Sequence, residues 1–251
     1  MFSMIILKSS QEIERIRTAG AVVAGALEEL KKRIYPGITT RELDKRAEEF
    51  LIKKGGTPAF KGYKGYPDTI CISINEEVVH GIPSERKLAE GDIVSIDIGV
   101  LLDGYYGDAA ITLPVGRISS QAKHLLEVTE ASLYKAIDIS VIGKRVSDIS
   151  NTIQCYVEGA GYSVVRDFVG HGIGRSLHEE PPVPNYGEPG KGPRLKAGMV
   201  LAIEPMVNMG GHELIILENG WTTVTKDGSL SAHFEHTVVI TENGPLILTM
   251  L

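Results

Sequence analysis

The sequence predicts a mixed α/β fold of the α+β kind, with antiparallel strands, outer helices and two pseudo-symmetric halves. Three observations carry that expectation. Apolar residues at helical spacing are followed by short, buried-strand patterns. An Asp103-Gly104 pair joins two strand-like runs as a hairpin. A helix–helix–strand order is also written twice along the 251 residues, at nearly one offset.

Ile13, Ile16, Gly20, Val23, Leu27, Leu30 and Ile34 share one helical face. Ser9 and Glu12 form a capping box ahead of them, and Tyr35-Pro36-Gly37 stops the helix. A second helix is expected from Thr39 to Lys54. It is capped by Thr39 and Glu42, carries Leu43, Ala47, Phe50 and Leu51 on one face, and ends at Gly55-Gly56. Strands are expected from Gly91 to Leu102 and from Tyr105 to Leu113. A type I′ turn at Asp103-Gly104 sets their register: Leu102 faces Tyr105 and Asp97 faces Ala110.

The helix pair returns after Ser119. Ala122, Leu126, Thr129, Leu133 and Ala136 lie 106 positions beyond Ile16, Gly20, Val23, Leu27 and Leu30. Ile149, Ile153, Tyr156 and Val157 stand at the same offset from Leu43, Ala47, Phe50 and Leu51. The run from Leu88 to Asp97 recurs as Leu195 to Glu204, so each copy is a turn and an apolar strand ending on an acid. A single catalytic domain over 1–251 is expected, with halves near 10–115 and 116–251. The Pro-rich stretch from Glu180 to Gly190 reads as a rigid surface loop.

Charged residues at 23% and hydrophobic residues at 43% describe an ordinary globular chain. A net charge of −6 argues against nucleic acid as the main partner. The short basic runs Lys31-Lys32-Arg33 and Lys53-Lys54 sit at helix ends, where they answer the helix dipole. Cys71 and Cys155 make no metal or disulfide spacing, which points to a reducing compartment. The apolar opening from Met1 to Leu7 is too short to span a bilayer and lacks signal-peptide features. A cytoplasmic location with no membrane partner is expected.

Asp97, Asp108, His171, Glu204 and Glu235 sit in apolar or Gly-rich surroundings, where an unpaired carboxylate is costly to bury. Four carboxylates balance two divalent cations, so the set reads as a dinuclear hydrolase centre. In the hairpin register Asp97 and Asp108 are diagonal neighbours on one face, with room for a cation between their tips. Ordinary surface acids would leave Ile96 and Ile98 facing the core alone. Glycines flank His171, permitting tight turns and close approach. A hydrogen-bonded bystander would look the same, and His178 with its acidic neighbours also suits a solvated surface. Glu204 ends an apolar strand before Pro205, and Glu235 lies in an expected final strand from Ala232 to Ile240. An oxygen-rich set with one imidazole suits Mn(II), Fe(II), Co(II) or Zn(II).

These residues resemble type I methionine aminopeptidases, over essentially the whole chain. The likeness rests on Tyr63-Lys-Gly-Tyr66-Pro67, the run from Cys71 to Pro83, Asp97 with Gly104-Tyr-Tyr-Gly-Asp108, Gly170-His171-Gly-Ile-Gly-Arg175, Ile203-Glu204-Pro205 and Phe234-Glu235-His236. It implies the pita-bread fold and makes the five residues metal ligands, with Asp108 and Glu235 bridging two ions. It implies catalytic roles for His80, His178 and Glu204, and a methionine pocket of Phe60, Tyr63, Tyr66, Cys71, Leu177 and Trp221. Phe60 and Leu177 depart from the best-known bacterial pattern, which has cysteine and phenylalanine there. The resemblance further implies action on N-termini of nascent polypeptides with a small second residue, transient ribosome contact, and a monomer.

The nearest rival is a proline-specific peptidase on the same scaffold. The Tyr-rich pocket segment and the short length without an extra N-terminal domain argue against it. A non-catalytic binding relative would be expected to have lost ligands. A two-metal phosphoesterase would want an Arg/Lys clamp that this acidic chain lacks.

Overall fold

The computed structural model describes residues 5–250. Most of the apolar opening therefore lies outside the described residues. Helices α1 (Ser10–Lys31) and α2 (Thr40–Lys53) come first, then strands β1 (Thr57–Pro58), β2 (Cys71–Ile74), β3 (Glu77–Val79), β4 (Ile93–Leu102) and β5 (Tyr105–Pro114). Helices α3 (Ser120–Asp138) and α4 (Val146–Gly159) follow, with β6 (Ser163–Val164), β7 (Gly170–Gly172), β8 (Glu179–Val183) and β9 (Val200–Ile203) behind them. The chain finishes through β10 (Met206–Asn208), β11 (Leu214–Ile216), β12 (Thr223–Thr225), β13 (Ser231–His233), β14 (His236–Thr241) and β15 (Gly244–Ile247). Every strand pairing among the described residues is antiparallel.

Both expected capping boxes are formed: Ser9 with Glu12, and Thr39 with Glu42, each satisfying otherwise unpaired first-turn N–H groups. Helix α1 ends at Lys31, a turn earlier than the apolar spacing implied: Lys32 and Arg33 form a turn, and Ile34 lies beyond it. The β4–β5 hairpin has the predicted register, with Leu102 opposite Tyr105 and Asp97 opposite Ala110. Asp103 and Gly104 both take positive φ, 49° and 79°, as a type I′ turn requires.

Two elements differ from expectation. The Pro-rich stretch begins as β8, at the edge of the sheet ordered β15-β14-β9-β7-β8. Proline is tolerated on an edge strand because its missing N–H need not enter a ladder. The segment around Glu235 is broken into β13 and β14, and β15 rather than β14 is the last strand. The break falls on Phe234-Glu235, which frees Glu235 from its own ladder.

The sheet β1-β4-β2, with β5 on β4, packs under α1 and α2 around Val23, Leu43, Ile96 and Ile98. The five-stranded sheet packs against α3 and α4 around Leu125, Ile153, Leu201 and Val238. Each fully buried side chain of this size contributes roughly 1.5–3 kcal/mol. The two sheets meet along a seam between β5 and the start of β14. Ala110 and Glu235 exchange backbone hydrogen bonds at 3.4 and 2.8 Å. Beside them, hydroxyls replace the ladder. Thr112 Oγ1 donates to the His233 carbonyl and accepts its N–H, both at 2.8 Å. Thr237 Oγ1 donates to the Asp108 carbonyl at 2.8 Å and accepts its N–H at 3.2 Å.

Candidate metal centre

Strand pairing explains why residues far apart in the chain converge. Cys71 faces Asp97, and Asp97 faces Ala110. Ala110 meets Glu235 across the seam. One row of the joined sheets therefore reads Cys71, Asp97, Ala110, Glu235. The β9–β14 ladder ends with Ile203 opposite His236, so Glu204 beside Glu235 is the next step out. Alternation by two puts Asp108 on the face of Ala110, and His171, opposite Ala202, on the face of Glu204. All five predicted ligands thus share one face, around the small side chain of Ala110.

The geometry is tight. One ligand atom each from Asp108, His171 and Glu235 lies within 4.8 Å of the others. His171 Nε2 is 4.0 Å from Asp108 Oδ2 and 3.6 Å from Glu204 Oε1. Its Nδ1 bonds the Gly172 carbonyl at 2.9 Å, which places the proton on Nδ1 and aims the Nε2 lone pair at the acids. Burial pushes His171 down to about 3, so the imidazole is neutral and able to ligate. The flanking glycines serve close approach rather than turning. A methyl on Gly170 would fall 2.4 Å from the Ala202 carbonyl, and one on Gly172 would fall 2.2 Å from that of Glu180.

Apart from a metal, the acids are poorly accommodated. Asp97 Oδ1, Asp108 Oδ1 and Glu235 Oε1 are buried with no hydrogen-bond partner among the described residues. Burial, with repulsion from Glu204 and partial relief from His233, pushes Asp97 up to about 7. Burial pushes Glu204 up to about 8. Asp108 and Glu235 also rise well above the carboxylate range, through burial first and neighbouring carboxylates second. A divalent cation would reverse those shifts and occupy the orphaned oxygens. The donor set fits one.

A cavity of about 280 Å³ opens beside this nest. Phe60, Tyr63, Tyr66, Cys71, Leu177 and Trp221, the expected pocket residues, all line it, as do His80 and His178. Tyr66 is anchored by its hydroxyl, which donates to the carbonyls of Ile70 and Gly81 at 3.0 and 2.8 Å. His80 follows β3 with a φ of 60°, a costly conformation for a non-glycine residue, and its ring stands edge-on to Phe168 and Trp221. Burial lowers it to about 4. His178 is exposed at the rim, stacks on Tyr63, and its Nδ1 lies 3.0 Å from the Tyr63 hydroxyl.

Sequence reasoning missed His233, Phe168 and Met206, which line the same cavity. His233 is 2% exposed, and its Nε2, 3.5 Å from Glu204 Oε2, has no hydrogen-bond partner among the described residues. The usable signal was strand alternation, which puts residue 233 on the face of Glu235.

An antiparallel scaffold with outer helices around a carboxylate-rich metal nest defines a metallopeptidase of the pita-bread fold. The chain belongs to metallopeptidase family M24, whose model it matches over residues 14–242. Within that family it stands with the bacterial-type methionine aminopeptidases. It is 58% identical over 246 residues to methionine aminopeptidase 1 of Bacillus subtilis, covering 98% of this chain and 99% of that one. The crystal structure of methionine aminopeptidase from Thermotoga maritima superposes with a TM-score of 0.97 at 51% identity, covering 99% of this chain and 100% of that one. Prolidase from Pyrococcus furiosus shares the fold more distantly, with a TM-score of 0.81 at 26% identity over 98% of this chain and 66% of that one.

Proposed function

We infer that this chain is a metal-dependent aminopeptidase that hydrolyses the bond after an N-terminal methionine, preferring a small second residue. The observation that carries the reading is the convergence of orphaned carboxylate oxygens on the neutral His171 beside an apolar cavity. We read the four acids and the one imidazole as residues that would hold two divalent ions, with Asp108 and Glu235 serving both, the metal drawn from Mn(II), Fe(II), Co(II) and Zn(II). The chain is read as one catalytic unit with related halves near 10–115 and 116–251.

When bound, such ions supply Lewis acidity that polarises the peptide carbonyl and renders water nucleophilic near neutral pH. The rest falls to the protein. Glu204 lies between His171 and His233 with its carboxylate toward the cavity, placed to take a proton from water and return it to the departing amine. The Tyr63 hydroxyl pairs with His178 Nδ1; with that hydroxyl as the donor, the imidazole proton sits on Nε2, free to bond the oxygen that gains charge. His80, neutral and held edge-on by Phe168 and Trp221, offers a second donor to the scissile unit. Phe60, Tyr63, Tyr66, Cys71, Leu177 and Trp221 receive the thioether, which aromatic rings suit.

The substrates are N-termini of nascent polypeptides, met in the cytoplasm with transient ribosome contact by a monomer. Sequence-specific nucleic-acid binding and a membrane partner have no part in this reading. Among the described residues no helix is long and apolar enough to cross a membrane. The test is digestion of Met-Ala-Ser against an Ala-Pro peptide, with metal content measured on the same anaerobically purified sample. Methionine release with bound divalent metal is expected; cleavage of the Ala-Pro peptide alone would transfer the chain to the proline-specific rival.

A further inference from the structure

We propose that Gly99 and Phe60 act as a pair that sets the depth of the methionine pocket. The inference rests on the aminopeptidase reading and deepens it. Gly99 sits mid-strand in β4, opposite Asp108 and on the same face as Asp97. Glycine weakens a strand interior and needs a reason to be there. Backbone conformation is not that reason, because Gly99 is not among the residues with positive φ. Space is. A methyl at Gly99 would fall 2.8 Å from Phe60 Cε1, 3.0 Å from Ala59 Cβ and 3.3 Å from Asp108 Oδ1.

Of these neighbours the Phe60 ring, at the shortest distance, must give most. Ala59 is tied to the strand, its N–H donating to the Gly99 carbonyl at 3.0 Å. The backbone of Asp108 is held by the β4–β5 ladder and by the Thr237 hydroxyl, and its Oδ1, at 3.3 Å, is the mildest of the three contacts. The Phe60 ring lines the cavity and packs in one cluster with Tyr66, Cys71 and Leu177. The bare backbone of Gly99 lets that ring lie back against the sheet. Any larger residue drives the ring forward into the space a long unbranched side chain needs.

The test uses metal-loaded holoenzyme in four forms: wild type, Gly99→Ala, Phe60→Leu and the double variant. For each, kcat and KM on Met-Ala-Ser are measured, with the dissociation constant of L-methionine by calorimetry and metal content. Loss of about one methylene of pocket depth changes recognition by roughly 10–200-fold. Gly99→Ala is therefore expected to raise KM and weaken methionine binding by about tenfold or more, at unchanged metal content. Phe60→Leu in the same chain should return both to within a few-fold of Phe60→Leu alone. Unchanged binding in Gly99→Ala, metal loss through Asp108, or failure of the double variant to recover would each overturn the pair. Should Gly99→Ala not fold, recovery of folding and methionine binding in the double variant supports the proposal, and its absence refutes it. If wild type binds methionine yet cleaves no peptide, the aminopeptidase reading fails while the binding cycle still decides the pair.

Discussion

The two halves of the chain supply the metal nest in different ways. The N-terminal half contributes Asp97 and Asp108 from one hairpin, inside a continuous ladder from Ile93 to Pro114. The C-terminal half contributes His171, Glu204 and Glu235 from three places on two ladders, and both acids stand just beyond the point where β9 and β14 stop pairing. Glu204 is steadied there by Asn185, whose side-chain amide donates to its carbonyl at 3.1 Å. Glu235 is steadied by the seam with Ala110. A locally rigid pair therefore faces a set whose geometry depends on how the sheets are joined. One face of the site is thus supplied by a ladder on one side and by strand ends on the other.

The largest expected effect comes from Asp108→Asn and Glu235→Gln, one ligand on each side of the seam. Each should remove tightly bound metal and lower kcat/KM by about 10³-fold or more, because several kcal/mol of charge stabilisation leave with the ion. Retained metal in either variant, measured by elemental analysis, would break the symmetry of that reading. The next effect separates neighbours. His178→Ala should cut kcat by about 10²–10³-fold with metal content intact, as loss of an oxyanion donor does. His171→Ala should lose metal itself. Equal metal loss in both would erase the division of roles.

A smaller effect tests the seam. Thr237→Val deletes the hydroxyl that clasps both backbone groups of Asp108 while keeping its shape. Metal affinity should fall about 10–100-fold by titration calorimetry, as for other groups that orient a ligand. Thr237→Ser should restore it. Thr112→Val, which unties His233 rather than a ligand, should change affinity less.

The smallest effect is one of pH. In the metal-free folded chain burial pushes Asp97 up to about 7 and Glu204 up to about 8, far above the ordinary carboxylate range. From pH 7 to 8 the folded state therefore holds protons that the unfolded carboxylates have already lost. Stability must fall as pH rises through this window. His171 and His80, lowered to about 3 and 4, are neutral when folded there, and unfolded histidines are mostly neutral too. Calorimetry of chelator-treated protein should show a lower Tm at pH 8 than at pH 7, and metal should remove that slope. A flat profile without metal would mean that the acids are already ionised.

Among these elements, legibility followed distance along the chain. The Ser9–Glu12 and Thr39–Glu42 capping boxes and the Asp103-Gly104 turn were readable because each interaction spans only a few residues. From that turn the register of Asp97 and Asp108 followed directly. The repeat made Glu204 conspicuous as the counterpart of Asp97, Gly-rich and apolar surroundings marked His171 and Glu235, and family likeness added the pocket. Burial of His233, the break at Phe234-Glu235 and the edge-strand role of β8 were not readable. Each depends on what packs opposite, and local propensity does not encode that.

By itself, then, the sequence determined which acids and imidazole were candidates, and the geometry of those joined by short turns. Only the tertiary structure decided that Ala110 lies between Asp97 and Glu235, that Thr237 clasps Asp108, and that Gly99 makes room for Phe60. The reason is physical: turn and cap energies act within a few residues, whereas the seam joins strands 125 residues apart at Ala110 and Glu235, through complementary shape and hydrogen bonding.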